Sequence, residues 1–419
     1  MEEISSAVGS TGTSNRRDER GRAASAYLRI LGHSAIGSAL ESVSAGEAAS
    51  EAARALRPTI RELVDRLQRR FAAGDRGVGA PDLETLRLRQ QVLGDAERAL
   101  EKATRDPTGA RLDGRDVFAL EALVRTKGRP ALLVQNGTFD PDDPEIDEYW
   151  ADALAVAGPR IPEVIRSVGR IELDGQHTGT GLLVAPALLM TNRHVLEALV
   201  LDPSGAGGWE FAGRVEVDFK AELGAHERFA FRITGVAFAG PAQIGETVDL
   251  RKLDLALLTV DERNAQNAAL PLPLPLVSNS GAAQGRRDLA IVGYPAKPSR
   301  LPRSADGRIE PEVLAALERI FRFQYEVKRL ALGRVDRRLG TVAGDAEPAW
   351  ALGHDATTLG GNSGSPVAML QSDEDGRLPV LALHMGGQWL LQNYAHVLAA
   401  VPALRGGREI EQAAAMRWT

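Results

Sequence analysis

The chain has 419 residues, more than one folding unit usually holds, so two or three units are expected. A formal net charge of -6 gives no basic excess for gripping a phosphate backbone, which argues against a nucleic-acid partner. Cysteine is absent, which excludes disulfides, thiolate metal sites and a cysteine nucleophile and leaves Ser or Thr for covalent catalysis.

Residues 1–22 are polar and charged and read as a flexible leader. The start M-E-E-I-S-S-A lacks the apolar core of a secretory signal, and no apolar run approaches the roughly 18 residues of a membrane span. A cytoplasmic protein without a membrane partner is the expectation. Residues 23–112 carry a helical period: Leu56, Ile60, Leu63, Val64, Leu67 and Phe71 recur at three- and four-residue steps, and Leu83, Leu86, Leu93, Ala96 and Leu100 continue it. The break from Gly74 to Pro81, with Asp82 as an N-cap, predicts a helical hairpin or small bundle. Residues 113–160 read as a connector. It holds a helix from Asp113 to Lys127 stopped by Gly128 and Pro130, a short apolar run Ala131–Val134, the turn signal Asn136-Gly137 and an acidic stretch from Asp140 to Glu148.

From about residue 161 to 405 the texture changes to short β-branched segments between Gly and Pro turns. Strands are expected at Ser167–Leu173, Thr180–Ala185, Val215–Phe219, Phe229–Val236, Asp254–Val260, Leu289–Val292, Tyr325–Leu330, Ser365–Leu370, Val380–Met385 and Tyr394–Val397. That density of strands predicts a sandwich or barrel, so the whole chain reads as an α+β multidomain protein. Glu310–Phe321 looks like an inserted helix, Val397–Arg405 like a C-terminal one, and 406–419 like a tail.

Three segments carry chemistry. Gly179–Val195, G-T-G-L-L-V-A-P-A-L-L-M-T-N-R-H-V, reads as a hairpin that delivers His194 at its end, beside a helical start. In K-L-D-L-A-L-L-T-V, Asp254 interrupts an apolar run; a buried unpaired carboxylate would cost on the order of several kcal/mol, so Asp254 needs a donor, and an imidazole N–H is one. Asp249 is the reserve candidate. Thr358–Val367, T-L-G-G-N-S-G-S-P-V, sets Ser363 in a glycine-rich turn, where the amides around Gly361, Asn362 and Ser363 can converge on an oxyanion, with those of Gly361 and Ser363 as the expected donors. A serine hydroxyl needs a base near neutral pH, histidine titrates in the right range, and an aspartate fixes its tautomer. The chain order His194, Asp254, Ser363 differs from the Ser-Asp-His of α/β-hydrolases and the Asp-His-Ser of subtilisins, and Ser363 stands in no G-x-S-x-G elbow.

The segments T-N-R-H-V, D-L-A-L-L and G-N-S-G-S-P-V resemble the signature blocks of bacterial trypsin-like and glutamyl-endopeptidase-like serine proteases, over roughly residues 165 to 405. The resemblance implies a chymotrypsin-like fold of two six-stranded antiparallel barrels with the triad between them, acting on a protein or peptide substrate. In that family an Asp six residues before the nucleophile directs cleavage after Arg or Lys; here Thr357 stands there. Thr358 and His384, with Gly386 beyond, resemble the set that receives an acidic P1 side chain. Relatives with added domains occur in bacterial defence systems, which suggests that the helical region binds a regulatory protein partner. A catalytically silent scaffold and a self-cleaving protease are the alternatives. Gly169-Arg170-Ile171 looks like a zymogen cleavage site but lies too close to His194, and no activation is expected there. No Walker, dinucleotide-binding or H-E-x-x-H motif occurs, so neither cofactor nor metal is expected, and His177, His226, His354 and His396 read as ordinary loop or core histidines.

Overall fold

The computed structural model describes residues 94–95, 97–102, 105, 129–143, 145–244, 249–296, 324–358, 360–388, 392–405 and 414–419. Those between 94 and 105 are helical. The rest of the expected helical region, the helix at 113–127 and the inserted helix at 310–321 lie outside the described residues.

The first barrel closes through six antiparallel strands: β3 (Val168–Leu173), β4 (Gln176–Ala185), β5 (Leu188–Thr191), β6 (Val215–Asp218), β7 (Ala230–Ala239) and β8 (Ala256–Val260), in the order β3-β4-β5-β8-β7-β6. Its hairpin β3–β4 turns at Asp174-Gly175, both at positive φ, the two-residue geometry whose twist matches the flanking strands. Alternation does the sorting. Leu183, Leu189, Ala256 and Leu258 point into the barrel, while their neighbours Leu182, Leu188, Met190 and Leu257 join a second core outside it. Both faces are buried, so these strands read as apolar runs.

The second barrel is built from β9 (Asp288–Gly293), β10 (Arg329–Arg337), β11 (Ala351–His354), β12 (Pro366–Met369), β13 (Val380–Gln388) and β14 (Gln392–Val397), closed by pairing of β10 with β11. Leu289, Ile291, Val367 and Leu381 fill it, whereas Ala290, Val292, Ala368 and Leu383 face the shared core. β10 lies C-terminal to its expected position, and β11 was not expected; four residues ending in Gly-His carry too little pattern to reveal it. The expected helix at 397–405 is instead two short 3-10 turns, Leu398–Ala400 and Pro402–Leu404; Pro402 has no N–H to continue a helix.

The compact unit begins at Arg129, not near residue 161. β1 (Ala131–Gln135) pairs antiparallel with the part of β10 that β11 leaves free and turns at Asn136-Gly137 into β2 (Thr138–Phe139). Helix α1 (Glu148–Ala157), capped by Asp147, and helix α2 (Ile161–Arg166) follow. Leu132, Val134, Trp150, Leu154, Ile161 and Ile165 then complete the core between the barrels. The segment read as a connector is therefore structural. At the other end, residues 417–419 exchange backbone hydrogen bonds with Leu276 and Ser278, and Met416 is buried, so the end of the expected tail packs onto the barrels.

Candidate active site

The residues before His194 explain where its ring sits. β5 ends at Thr191, and His194 occupies the first turn of α3 (Arg193–Glu197). Thr191 Oγ1 donates to the Thr180 carbonyl of β4 at 2.7 Å, and Asn192 Nδ2 donates to the Asp254 carbonyl at 2.8 Å. Arg193 is buried: its guanidinium stacks 4.5 Å from the Trp209 ring centroid and donates to the carbonyls of Gly240 and Pro203 at 3.1 and 3.0 Å. Each letter of T-N-R thus anchors the turn that presents the histidine.

Asp254 stands just before β8 with its side chain 2% exposed, and His194 satisfies both of its oxygens. The His194 amide donates to Oδ1 at 2.9 Å, and ring Nδ1 lies 2.7 Å from Oδ2. A carboxylate only accepts, so Nδ1 carries the proton and Nε2 keeps its lone pair. Burial works to lower the His194 pKa; the charge and hydrogen bond of Asp254, with the charge of Glu197, outweigh it and hold the value above the usual 6.5. The reserve candidate Asp249 pairs instead with Arg251 on the surface. Behind Asp254, its amide donates to Nε2 of His396 on β14 at 3.0 Å, so the second barrel reaches the aspartate of the first.

Ser363 lies in a turn between Gly361 and Gly364, both at positive φ near 90°, where a side chain would be strained. At Gly364 a Cβ would also overlap the Thr180 carbonyl and the Thr191 hydroxyl. The turn is stitched to β4: the Thr180 amide donates to the Ser363 carbonyl at 2.9 Å, and Thr180 Oγ1 donates to the Gly361 carbonyl at 2.8 Å. On its other side the Gly364 amide donates to the His384 carbonyl at 3.0 Å. Asn362 is buried, with its carbonyl accepting the Ser365 amide inside the turn and its side chain against Gly293. Thr180 therefore touches both the Ser363 turn and Thr191, three residues before His194. Among the described residues the Ser363 hydroxyl makes no hydrogen bond, and the amides of Gly361 and Ser363 donate to no protein acceptor, as open oxyanion donors should.

Thr357 Oγ1 donates to the Arg129 carbonyl at 2.9 Å. Thr358 Oγ1 donates to Asn393 Oδ1 at 2.8 Å, an orientation fixed by Asn393 Nδ2 donating to the Ala356 carbonyl at 2.8 Å. His384 is buried on β13, its Nδ1 3.1 Å from Nε2 of His354. Burial pushes His354 down to about 4; it pushes His384 well below the usual 6.5, with the charges of His354 and His194 adding to the effect. Both rings are neutral at ordinary pH. Gly386 follows a register shift in the β13–β14 pairing, at φ +140° with open space where a Cβ would be.

His354 and His396, read from sequence as ordinary, thus contact site residues across 30 and 142 positions, separations that leave no local signal. His177 packs beside Gly361, its pKa lowered to about 4 by burial and by the charge of Arg170. No cluster of three or more metal-capable side chains occurs among the described residues.

Residues 179–378 match the family model described as the trypsin-like peptidase domain, a span that holds His194, Asp254 and Ser363. A probable serine protease of Lysobacter enzymogenes is 34% identical over 331 residues, covering 74% of this chain and 80% of the relative.

Proposed function

Because the chain belongs to the trypsin-like serine peptidases, we propose that it cleaves a protein substrate through an acyl-enzyme formed on Ser363. The observation that carries this reading is the double tie of Asp254 to the amide and Nδ1 of His194, which leaves Nε2 as the base. As Ser363 Oγ attacks the scissile carbonyl carbon, its proton moves to His194 Nε2. The amides of Gly361 and Ser363 stabilise the oxyanion, with Asn362 shaping the turn between them. His194 then returns the proton to the leaving nitrogen, the C–N bond breaks, and water repeats the sequence on the ester. The hydroxyl and imidazole close to hydrogen-bond distance in the substrate complex, where such contacts tighten. Turnover of a peptide substrate should fall by roughly four or more orders of magnitude in Ser363→Ala and His194→Ala, and the double variant should lose no more than either. Residual turnover within tenfold of the parent in Ser363→Ala would reject the assignment.

For the P1 side chain we propose an acidic preference read by His384. The Thr358 hydroxyl proton is already given to Asn393, so it cannot serve a carboxylate. His384 can, in the tautomer where His354 Nε2–H donates to His384 Nδ1 and the proton of His384 sits on Nε2. Gly386 leaves open space where a side chain would stand. Cleavage of a peptide library should enrich Glu or Asp at P1, and His354→Phe should flatten that enrichment; a library showing no acidic enrichment removes the reading. We further propose that the N-terminal region, residues 23–112, receives a protein that regulates this activity.

A further inference from the structure

We take the stretch Asp355–Thr358, which ends on Thr358, as one wall of the pocket assigned above to P1, and every residue of it is tied down. Asp355 Oδ1 accepts the Arg334 amide at 2.7 Å, while Asn393 holds Ala356 and Thr358. The remaining two ties run to a single residue outside both barrels. The Arg129 carbonyl accepts the Thr357 hydroxyl at 2.9 Å, and the Arg129 guanidinium pairs with Asp355 Oδ2, with side chains only 7% and 10% exposed. Arg129 is where the chain enters the compact unit. The residues after it are fixed to β10: the Pro130 carbonyl accepts the Leu332 amide at 3.0 Å, and the Ala131 carbonyl accepts Arg329 Nη1 at 2.7 Å.

We propose that Arg129, which precedes both barrels, is a positioning residue that sets the shape of the P1 pocket. Seated, it supplies two of the wall's anchors, one by backbone and one by charge. Drawn away, it leaves Asp355 a buried carboxylate without its cation and Thr357 a hydroxyl without its acceptor, and the wall rearranges. Its ties to Thr357 and Asp355 lie in the pocket wall, so the device acts on substrate binding and spares the chemical step. The inference rests on the P1 reading given above.

The test uses the full chain and the variants Arg129→Met, Arg129→Lys, Asp355→Asn and the Arg129→Met/Asp355→Asn double. Two quantities are measured: kcat and KM for a peptide substrate, and the rate of labelling by a small fluorophosphonate that carries no P1 side chain. Arg129→Met should raise KM about tenfold while labelling stays within about twofold, and Arg129→Lys should recover much of the difference. The double variant should be no worse than the worse single one, because the two residues act as a pair. An unchanged KM in Arg129→Met, additive losses in the double, or labelling that falls in step with turnover would each overturn the proposal. Failure of the underlying peptidase reading is separable: the unmodified chain would then take no label at Ser363.

Discussion

The histidine and aspartate of the first barrel are held by consecutive side chains, Thr191, Asn192 and Arg193, each bonded to a fixed backbone carbonyl. The Ser363 turn of the second barrel is held differently, by glycine conformations and by partners scattered through the chain: Thr180 and His384 on the turn itself, and Asn393 and Arg129 on the pocket wall beside it. The first half of the site is locally over-determined. The second is assembled from remote pieces, including one that precedes both barrels. Its position should therefore be the more easily lost, and the more easily controlled.

The difference can be broken at its strongest point with Gly364→Ala. The added methyl is strained by the positive φ and has no space against Thr180 and Thr191, so peptide turnover should fall roughly a hundredfold or more. His194 should keep its environment, and its imidazole resonances should stay in place by NMR. Activity near that of the parent would mean that the turn is more forgiving than its contacts suggest.

A smaller effect is expected where the second barrel supports the first. His396→Leu removes the acceptor of the Asp254 amide and should lower kcat about tenfold with little change in KM. His396→Gln, which offers a carbonyl oxygen in its place, should recover part of the loss. Equal losses in both variants would leave His396 a space-filling residue.

The smallest perturbation is pH. The His194 pKa lies above 6.5, so kcat/KM should fall as pH drops through that value, where the base becomes protonated. Stability should respond in its own window. His354 and His396 are held neutral in the fold with pKa values near 4, and an unfolded histidine titrates near 6.5. Above about pH 6.5 they contribute nothing to the pH dependence. Below it the unfolded chain takes up protons that the folded chain refuses, at a cost on the order of 3 kcal/mol for each by pH 4. Thermal melts should thus fall in midpoint between pH 6.5 and 4, and a flat midpoint would contradict the buried, neutral assignment.

What could be read from the sequence follows the same division. His194, Asp254 and Ser363 stand in compact blocks, because a strand end, an apolar run and a glycine turn each leave a local pattern. Thr191, Asn192 and Arg193 lie in the same block as His194, but the carbonyls they bond, at Thr180, Asp254, Gly240 and Pro203, leave no local pattern. β1 was visible as a short apolar run before Asn136-Gly137, yet its partner on β10 lies about two hundred residues on, and nothing local announces the pairing. The same holds for the histidines: His354 finds His384 across 30 positions and His396 finds Asp254 across 142, so nothing local separates them from ordinary loop or core histidines. Arg129 stands unremarked between Gly128 and Pro130, which read as a helix stop, and only the folded second barrel shows what its carbonyl and guanidinium hold.

The most direct test is to treat the chain with a fluorophosphonate and map the adduct by peptide mass spectrometry. A single covalent adduct on Ser363, lost in Ser363→Ala and greatly slowed in His194→Ala, is the predicted result. An unlabelled chain, or an adduct on another serine such as Ser365, would contradict the placement of nucleophile and base on which the account stands.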